Sequence, residues 1–296
     1  MKLLKALIAF QFAILFFTKV NAVEPIFIDA IGLATPESIE YYADEDVYLV
    51  TNINGNPLEA DGNGFISKIG PDGKVIDLKW IDGVRSGTRI NAPKGAAING
   101  NILYVADLDE VHLFELPSGR QLTSVKINGS TFLNGITPGD GDTVYVTDSG
   151  LKAGEGGFVP SGSDAIYQIS ASGKYRAILK DKGMGRPNGI VSNQGKLTIV
   201  TFGSGSIFTI DEAGRLAELT APPNGGLDGL LGLDDGSYVL SSWEGSAIYR
   251  LNPAGSYEVL ANALDAPADI GYDDKRKRIL VPLFKQNRLA ILTLDF

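Results

Sequence analysis

The feature that most limits how this chain can fold is a four-residue pattern that recurs six times. It reads PESI at 36–39, PKGA at 93–96, LNGI at 133–136, PNGI at 187–190, LDGL at 227–230 and PADI at 267–270. Successive copies start 57, 40, 54, 40 and 40 residues apart, so the basic period is 40 with two longer repeats. Repeats of this length are typical of solenoids and propellers.

Each repeat contains the same succession of β-rich segments. A second segment follows the pattern, as in VYLVTN, TVYVTD and SYVLSSW, and a third follows it, as in FISKI, AIYQIS and AIYRLN. Alternating apolar positions rich in Val, Ile, Tyr and Phe predict strands. A turn with a late glycine comes next in five repeats (PDGK, PSGR, ASGK, EAGR and PAGS), which predicts a hairpin to a fourth strand.

The sixth repeat lacks its fourth strand, while the segment VEPIFIDAI at 23–31 is a strand without a partner in its own repeat. We therefore predict an all-β fold, a six-bladed β-propeller with four-stranded blades, whose ring is closed when the N-terminal strand joins the last blade. Residues 23–296 would form this single domain. A pair of β-sandwiches is the alternative, but it does not explain one missing strand and one spare strand.

Residues 1–22 have the pattern of a signal peptide. Lys2 and Lys5 precede an apolar run at 6–17, and Val20-Asn21-Ala22 fits the small-x-small rule for cleavage. The run is short for a membrane-spanning helix, which needs about 20 apolar residues. We expect an exported protein, periplasmic or secreted, without stable membrane insertion after cleavage.

Charge and cysteine content exclude several classes of function. Without residues 1–22 the chain has 23 basic and 35 acidic residues, a net charge of −12 that disfavours nucleic acid and anionic membranes. The absence of cysteine excludes thiolate metal sites and cysteine nucleophiles. We expect a small-molecule substrate and a cation as partners, and the oligomeric state stays open.

The two long repeats carry insertions between their second and third strands, at 54–64 and at 149–162. In a four-stranded blade this loop lies at the end where the innermost strand begins. We therefore expect the insertions to form a rim around the mouth of the central channel. Neutral decoration of the surface is the alternative.

The second position of each pattern starts an innermost strand, so six side chains should surround the propeller axis. They are Glu37, Lys94, Asn134, Asn188, Asp228 and Ala268. Two carboxylates and two carboxamides supply hard oxygen ligands, which favour Ca²⁺, with Mg²⁺, Mn²⁺ and Zn²⁺ as further candidates. A cation would also relieve the repulsion between the two carboxylates. Each Asn-Gly or Asp-Gly taken singly is as typical of a turn.

Other candidate site residues come from the ends of the second strands, which should approach the same mouth. They are Asn52, Asp107, Asp148, Phe202 and Trp243. We predict a substrate site formed by Lys94, Asn134, Asp148, Phe202 and Trp243, with core packing as the alternative for the two aromatic residues. The only histidine, His112, lies in a third strand away from the axis, which favours a structural role.

The repeat, the export signal and the ligand set resemble the SMP-30/gluconolactonase/regucalcin-like family of six-bladed propellers, over essentially all of residues 23–296. The resemblance implies a divalent cation held by Glu37 in PESIEY, Asn134 in LNGI, Asn188 in RPNGI and Asp228 in GLDGL. It also implies hydrolysis of lactones or related esters, with Asp228 as general base. The arginine that the family uses near the substrate is not evident at 131–133, which reads Thr-Phe-Leu.

The sequence leads to a functional hypothesis and two alternatives. The hypothesis is a divalent-metal-dependent hydrolase that acts on a lactone or related ester at the channel mouth. The first alternative is a non-catalytic exported propeller that binds a small ligand or an envelope partner and holds a structural metal. The second is a strictosidine-synthase-like lyase or condensing activity, which needs a side-chain acid for which the sequence offers no clear candidate. Lys94 has three interpretations: it binds a substrate carboxylate, it stabilises an oxyanion, or it pairs with Glu37 or Asp228.

Overall fold

A computed structural model describes residues 23–83 and 88–294, and the predicted signal peptide at 1–22 lies outside the described residues. The secondary-structure elements that begin and end within these residues are β-strands. The first strand is β1 (Ile26–Ile28). Blade one contains β2 (Pro36–Tyr42), β3 (Val47–Asn52), β4 (Phe65–Ile69) and β5 (Val75–Asp82). Blade two contains β6 (Pro93–Asn99), β7 (Ile102–Asp107), β8 (Glu110–Glu115) and β9 (Arg120–Lys126).

The third blade contains an additional hairpin. Its strands are β10 (Leu133–Pro138), β11 (Thr143–Asp148), β14 (Ala165–Ser170) and β15 (Tyr175–Lys180), with the hairpin β12 (Leu151–Gly154) and β13 (Gly157–Pro160) between β11 and β14. Blade four contains β16 (Pro187–Asn193), β17 (Lys196–Thr201), β18 (Ile207–Ile210) and β19 (Leu216–Glu218).

The last two blades differ in how they are completed. Blade five contains β20 (Leu227–Gly232), β21 (Tyr238–Ser242), β22 (Ala247–Leu251) and β23 (Tyr257–Ala261). Blade six contains β24 (Gly271–Asp273), β25 (Arg278–Leu283) and β26 (Arg288–Thr293), and β1 is its outer strand. Ile26 pairs with Ile291 and Ile28 with Leu289 in an antiparallel ladder. The predicted six-bladed propeller and its closure by the N-terminal strand are therefore confirmed.

An apolar core lies between each pair of neighbouring blades. Blades one and two share Leu49, Ile66 and Phe114, and blades six and one share Tyr48 and Leu280, all almost fully buried. Each sheet therefore buries both faces, which explains why the inner three strands of a blade read as nearly continuous apolar segments. Stacking of this kind leaves the innermost strands to surround a central channel.

The recurring four-residue pattern forms a β-bulge at the start of the innermost strand. In blade one, Pro36 pairs with Asn52 and Ile39 with Val50, so Glu37 and Ser38 together face the single residue Thr51. The same shift of register occurs at the pattern in blades two to five. A bulge bends the strand and redirects its side chains. The periodicity of the sequence is therefore the periodicity of this bulge.

Candidate functional site

The pattern positions bring five polar side chains to one cavity at the channel mouth. Its volume is about 360 Å³, and the five are Glu37, Lys94, Asn134, Asn188 and Asp228. Each of them has at most 5% of its surface exposed. Ala268, the sixth pattern position, is also buried but is not part of the cavity lining. Five of the six pattern positions therefore lie together around one cavity.

Glycine at the third position of the pattern allows the innermost strands to approach closely. A Cβ on Gly135 would collide with the carbonyl oxygen of Asn188, and one on Gly189 would collide with that of Asp228. Blade one has Ser38 there instead, and its hydroxyl accepts a hydrogen bond of 3.1 Å from the amide of Ala96. Close approach of the strands makes the ring of side chains narrow.

Four buried oxygens at the base of the cavity have no hydrogen-bond partner among the described residues. They are Glu37 Oε2, Asn134 Oδ1, Asn188 Oδ1 and Asp228 Oδ1. These four residues are the ones that the sequence predicts as cation ligands. Since buried polar atoms in proteins nearly always have a partner, four unsatisfied acceptors in one place indicate a ligand that the protein itself does not supply.

Burial also disfavours the charged forms of the two carboxyl groups. Burial raises the pKa of Glu37 well above its usual value, and the charges of Asp228 and Asp269 raise it further. Burial raises the pKa of Asp228 to about 7, partly opposed by Trp243 and Asn188. The indole Nε1 of Trp243 lies near Asp228 but completes no hydrogen bond of normal geometry. Lys94 lowers the pKa of Glu37 only in part, so for neither carboxylate does the protein alone offset the effect of burial.

Lys94 is the one cation among the pattern positions. Its Nζ donates a hydrogen bond of 3.0 Å to the carbonyl oxygen of Ala92 and lies 4.2 Å from the centre of the Phe132 ring. It forms no ion pair with Glu37 or Asp228, both of which the structure describes. Burial lowers the pKa of Lys94 to about 8, against the opposing effect of Asp107, Glu37 and Asp148.

The wall above this polar base is aromatic. Phe202 and Trp243, both predicted for the substrate site, meet edge to face with ring centres 5.3 Å apart, and Phe284 lies 5.2 Å from Trp243. Phe132 and Phe158 also line the cavity, with their ring centres 6.0 Å apart. Such edge contacts hold the rings in fixed relative orientations.

Several residues that line the cavity were not predicted from the sequence. They are Ile53, Pro57, Phe132, Ser149, Leu151, Phe158, Arg186 and Phe284. Phe284 had a usable signal, since it follows β25 as Phe202 follows β17 and Trp243 follows β21. Pro57, Leu151 and Phe158 belong to the two insertions, which agrees with the expected rim. Arg186 had no signal beyond its position before Pro187.

Asp148, predicted to contact substrate, has a different environment. It is fully buried beneath the rim and is not part of the cavity lining. Its Oδ1 accepts hydrogen bonds of 3.0 Å from the amides of Phe132 and Gly150, and its Oδ2 accepts one of 3.2 Å from Thr131. These bonds hold the loop that enters β10, so the carboxylate has no oxygen free for a substrate.

Asn52 and Asp107 occupy the same strand-end position and are used in the same way. Asn52 accepts a hydrogen bond from the amide of Ala34. Asp107 accepts bonds of 2.7 and 2.8 Å from the amides of Asn91 and Ala92, and one of 3.1 Å from Nε2 of His112. The expectation that these polar residues line the mouth is wrong, because their side-chain oxygens accept hydrogen bonds from backbone amides of the preceding loop.

His112 belongs to the interior of blade two. Its Nδ1 lies 2.8 Å from the hydroxyl oxygen of Ser124 and its Nε2 faces Asp107. The side chain is 2% exposed and is not part of the cavity lining. Both ring nitrogens therefore have partners that belong to the blade.

Two further observations bear on metals and membranes. No group of three or more histidine, aspartate and glutamate side chains within residues 23–83 and 88–294 is arranged to hold a metal ion. The predicted ligand set is not a group of that kind, because it has only two carboxylates and its other members are amides. In the same part of the chain, no helix is long and apolar enough to cross a bilayer.

Comparison with known proteins supports the fold but does not name a family. No protein-family model and no curated protein matches the chain. The structure of streptogramin B lyase is similar, with 15% identity, a TM-score of 0.66, and coverage of 92% of this chain and 97% of that one. Virginiamycin B lyase from Staphylococcus aureus has 16% identity, a TM-score of 0.64, and coverage of 92% and 99%.

A catalytically inactive histidine-to-alanine variant of that lyase, crystallised with quinupristin, is also similar, with 16% identity, a TM-score of 0.61, and coverage of 92% and 99%. At such low identity the likeness shows the fold alone. Membership of the SMP-30/gluconolactonase/regucalcin-like family is not confirmed.

Proposed function

We propose that this protein is a divalent-metal-dependent hydrolase that opens a lactone or a related ester at the channel mouth. The observation that carries the proposal is the set of four unsatisfied buried oxygens, on Glu37, Asn134, Asn188 and Asp228. Leaving four such acceptors without partners would cost about 1–3 kcal/mol each. A bound cation removes that cost.

The donor chemistry fits a hard cation. Two carboxylates and two amide oxygens match the preferences of Ca²⁺, whose six to eight positions would leave room for water and substrate. Burial raises the pKa of both Glu37 and Asp228, and the charge of Asp228 raises that of Glu37 further. A divalent charge would relieve both effects. Ca²⁺ is therefore our first choice, and the other hard divalent cations are tested beside it.

The residues of the cavity divide the chemistry among them. When bound, the cation supplies Lewis acidity that polarises a carbonyl group. Asp228 has two carboxylate oxygens, so one can serve the cation while the other accepts a proton from the attacking water. Lys94 lines the same cavity and carries N–H donors for a negatively charged oxygen of the ligand. Asn134, whose amide donates to Ser149 at 3.1 Å, is held in one orientation.

The proposal differs from histidine-dependent chemistry. The inactive histidine-to-alanine variant of virginiamycin B lyase indicates that a histidine matters in that enzyme. The chain described here has a single histidine, His112, whose side chain is bonded to Asp107 and Ser124 inside blade two. We therefore assign proton transfer to Asp228 instead.

Metal binding is tested by titrating Ca²⁺ into the chelator-treated protein lacking residues 1–22. We expect a Kd at or below about 1 mM, the weak end of extracellular calcium sites, in keeping with the predicted export. Glu37→Gln removes one ligand charge and should weaken binding by about 10-fold or more. Glu24→Gln, at an exposed carboxylate, is the matched control. Equal affinity in all three proteins would contradict the assigned site.

Catalysis is tested with a panel of lactones and carboxylic esters in the presence of Ca²⁺. Asp228→Asn should lower kcat by about 10²–10⁴ with the fold intact, because it removes the proton acceptor. Asp274→Asn, at an exposed position, should leave kcat unchanged. Ca²⁺ binding without turnover of any compound would instead favour the non-catalytic propeller with a structural metal.

A further inference from the structure

The cavity has two chemically different halves. Its base holds the charged and amide side chains of the pattern positions, while its wall consists mainly of hydrocarbon, contributed by Ile53, Pro57, Phe132, Leu151, Phe158, Phe202, Trp243 and Phe284. A ligand that fills about 360 Å³ must contact both halves.

The wall offers little to a polyhydroxylated ligand. Among its polar members, Ser149 already donates a hydrogen bond of 2.7 Å to the carbonyl oxygen of Pro187 and accepts one from Asn134. Arg186 is the remaining polar side chain on the wall. Hydroxyl groups placed against this wall would lose their hydrogen bonds to water without replacement, which is unfavourable.

The charges of the cavity favour an anion once a cation is bound. Glu37 and Asp228 are offset by Lys94 and Arg186, so a divalent cation leaves an excess of positive charge. Lys94 has three N–H donors, and the hydrogen bond to Ala92 uses one of them. Its Nζ is buried against the ring of Phe132, where water is largely excluded. An oxyanion of a ligand is the partner that such an ammonium group lacks.

We propose that the site takes an apolar lactone or ester that also bears one free carboxylate. The aryl or alkyl part of this ligand lies on the aromatic wall, and Lys94 binds the free carboxylate. This inference rests on the proposed function for the reaction, but it concerns ligand recognition and is tested by binding. In this inference Lys94 binds the carboxylate of the substrate, and Phe158 of the β12–β13 hairpin contacts and selects its hydrocarbon group.

The test uses three non-hydrolysable probes with the Ca²⁺-loaded protein: 4-phenylbutyrate, its neutral amide 4-phenylbutyramide, and the polar carboxylate gluconate. Affinity is measured by calorimetry and by quenching of tryptophan fluorescence, since Trp243 lines the cavity. We expect 4-phenylbutyrate to bind about 10-fold or more tightly than either comparison probe, as a charge-assisted hydrogen bond and an apolar contact are both required.

Two variants assign the two halves of the ligand. Lys94→Met keeps the length of the side chain and should reduce the affinity for 4-phenylbutyrate to that for the amide, while Lys174→Met, on an exposed turn, should change nothing. Phe158 is 49% exposed, so Phe158→Ala should fold normally. It should weaken both phenyl probes by about 5-fold and leave gluconate unaffected.

The outcomes separate this inference from the proposed function. If gluconate binds as tightly as 4-phenylbutyrate, the inference is overturned. It is also overturned if Lys94→Met binds 4-phenylbutyrate with the affinity of the parent and chelator abolishes this binding, because the carboxylate would then be bound by the cation and not by Lys94. If the probes bind as expected but no ester is hydrolysed, the ligand class stands and the hydrolase proposal fails. Hydrolysis restricted to polar sugar lactones would support the hydrolase proposal and contradict the apolar ligand class.

Discussion

Two sets of polar side chains lie buried at the same end of this propeller and have opposite hydrogen-bonding states. The ring set starts the innermost strands and comprises Glu37, Asn134, Asn188 and Asp228, each with a buried oxygen that lacks a partner among the described residues. The strand-end set closes the second strands and comprises Asn52, Asp107 and Asp148, whose oxygens accept hydrogen bonds from backbone amides. Both sets are almost inaccessible to solvent.

Burial and residue type therefore do not distinguish a structural polar residue from a candidate ligand in this fold. The strand-end residues hold the loops that lead into the innermost strands, so their partners belong to the chain. The ring residues emerge from bulges, where the redirected side chains face the channel and find no donors in the described parts of the chain. The two sets differ in whether their oxygens have hydrogen-bond partners. Replacing an aspartate by asparagine should therefore lower the free energy of unfolding in the strand-end set and raise it in the ring set when no cation is bound.

The largest effect is expected at the strand-end set. Burial alone would raise the pKa of Asp107, but the hydrogen bond and charge of His112, with Lys94 and the amide of Asn91, hold it below its usual value. Asp107→Asn replaces one accepting oxygen by an N–H₂ group that faces the N–H donors of Asn91, Ala92 and His112. The lost hydrogen bonds should lower the free energy of unfolding by about 3 kcal/mol. The melting temperature should fall by about 6–12 °C, measured by calorimetry.

The control for this change is Asp109→Asn, two residues away. Asp109 forms an ion pair of 3.0 Å with Lys126, both partly exposed, and such pairs contribute about 0–1 kcal/mol. A loss of stability at Asp107 no greater than at Asp109 would contradict the structural role of the strand-end set.

A smaller effect is expected at Glu40, which lies deeper along β2. Burial raises the pKa of Glu40 to about 8. Because the folded pKa is raised, the stabilisation is complete below the unfolded value, about 4, and is lost as the pH rises toward about 8. The whole shift corresponds to about 5 kcal/mol, and solvent screening of the partly exposed carboxyl reduces it. Glu40→Gln should therefore be more stable than the parent by about 2 kcal/mol near pH 8 and nearly equal to it near pH 4.

Urea unfolding at both pH values measures this difference, with Glu155→Gln on the exposed β12–β13 hairpin as control. The advantage of Glu40→Gln should persist when Ca²⁺ is added, since Glu40 is not one of the proposed ligands. A difference independent of pH would contradict the assignment of Glu40 as a partly buried carboxyl that is protonated in the folded protein.

The fold was predictable because each blade repeats the same local signals. Strand patterns, hairpin glycines and the bulge tetrapeptide all recur at one register, and the spare strand at 23–31 had only one blade to complete. The ring set was predictable for the same reason. A repeat fixes which positions are equivalent, and equivalent positions in a closed ring face one axis.

The hydrogen-bonding of individual side chains was not predictable in this way. Asp148 accepts bonds from the amides of Thr131 and Phe132, the two residues before β10, as Asp107 does from the two residues before β6. The bonding therefore recurs with the repeat, but the sequence shows only a polar residue at the strand end and not the direction in which its side chain points. Phe158 reaches the cavity only because the insertion forms a hairpin, which its glycine-rich sequence did not indicate.

The smallest effect, and the sharpest contrast, is expected for Asp228→Asn in chelator. It is the same chemical change as Asp107→Asn but removes a carboxylate with an unsatisfied oxygen, whose pKa is raised to about 7 mainly by burial. Stability from this group is lost as the pH rises through about 7, by up to about 4 kcal/mol for the whole shift. The buried amide that replaces the carboxyl offsets most of this gain, so Asp228→Asn should be more stable than the parent by about 1 kcal/mol near pH 8. Calorimetric melting against the parent in chelator measures this gain.

Adding Ca²⁺ should reverse the order of the two proteins. The parent binds the cation with both ring carboxylates and gains stability in proportion to RT ln(1 + [Ca²⁺]/Kd), about 2.7 kcal/mol at 100 times Kd, while Asp228→Asn gains less. Asp107→Asn should gain as much from Ca²⁺ as the parent does, because its defect lies outside the ring. If Ca²⁺ stabilises the parent and Asp228→Asn equally, the unsatisfied oxygens are not ligands and the contrast between the two sets loses its functional meaning.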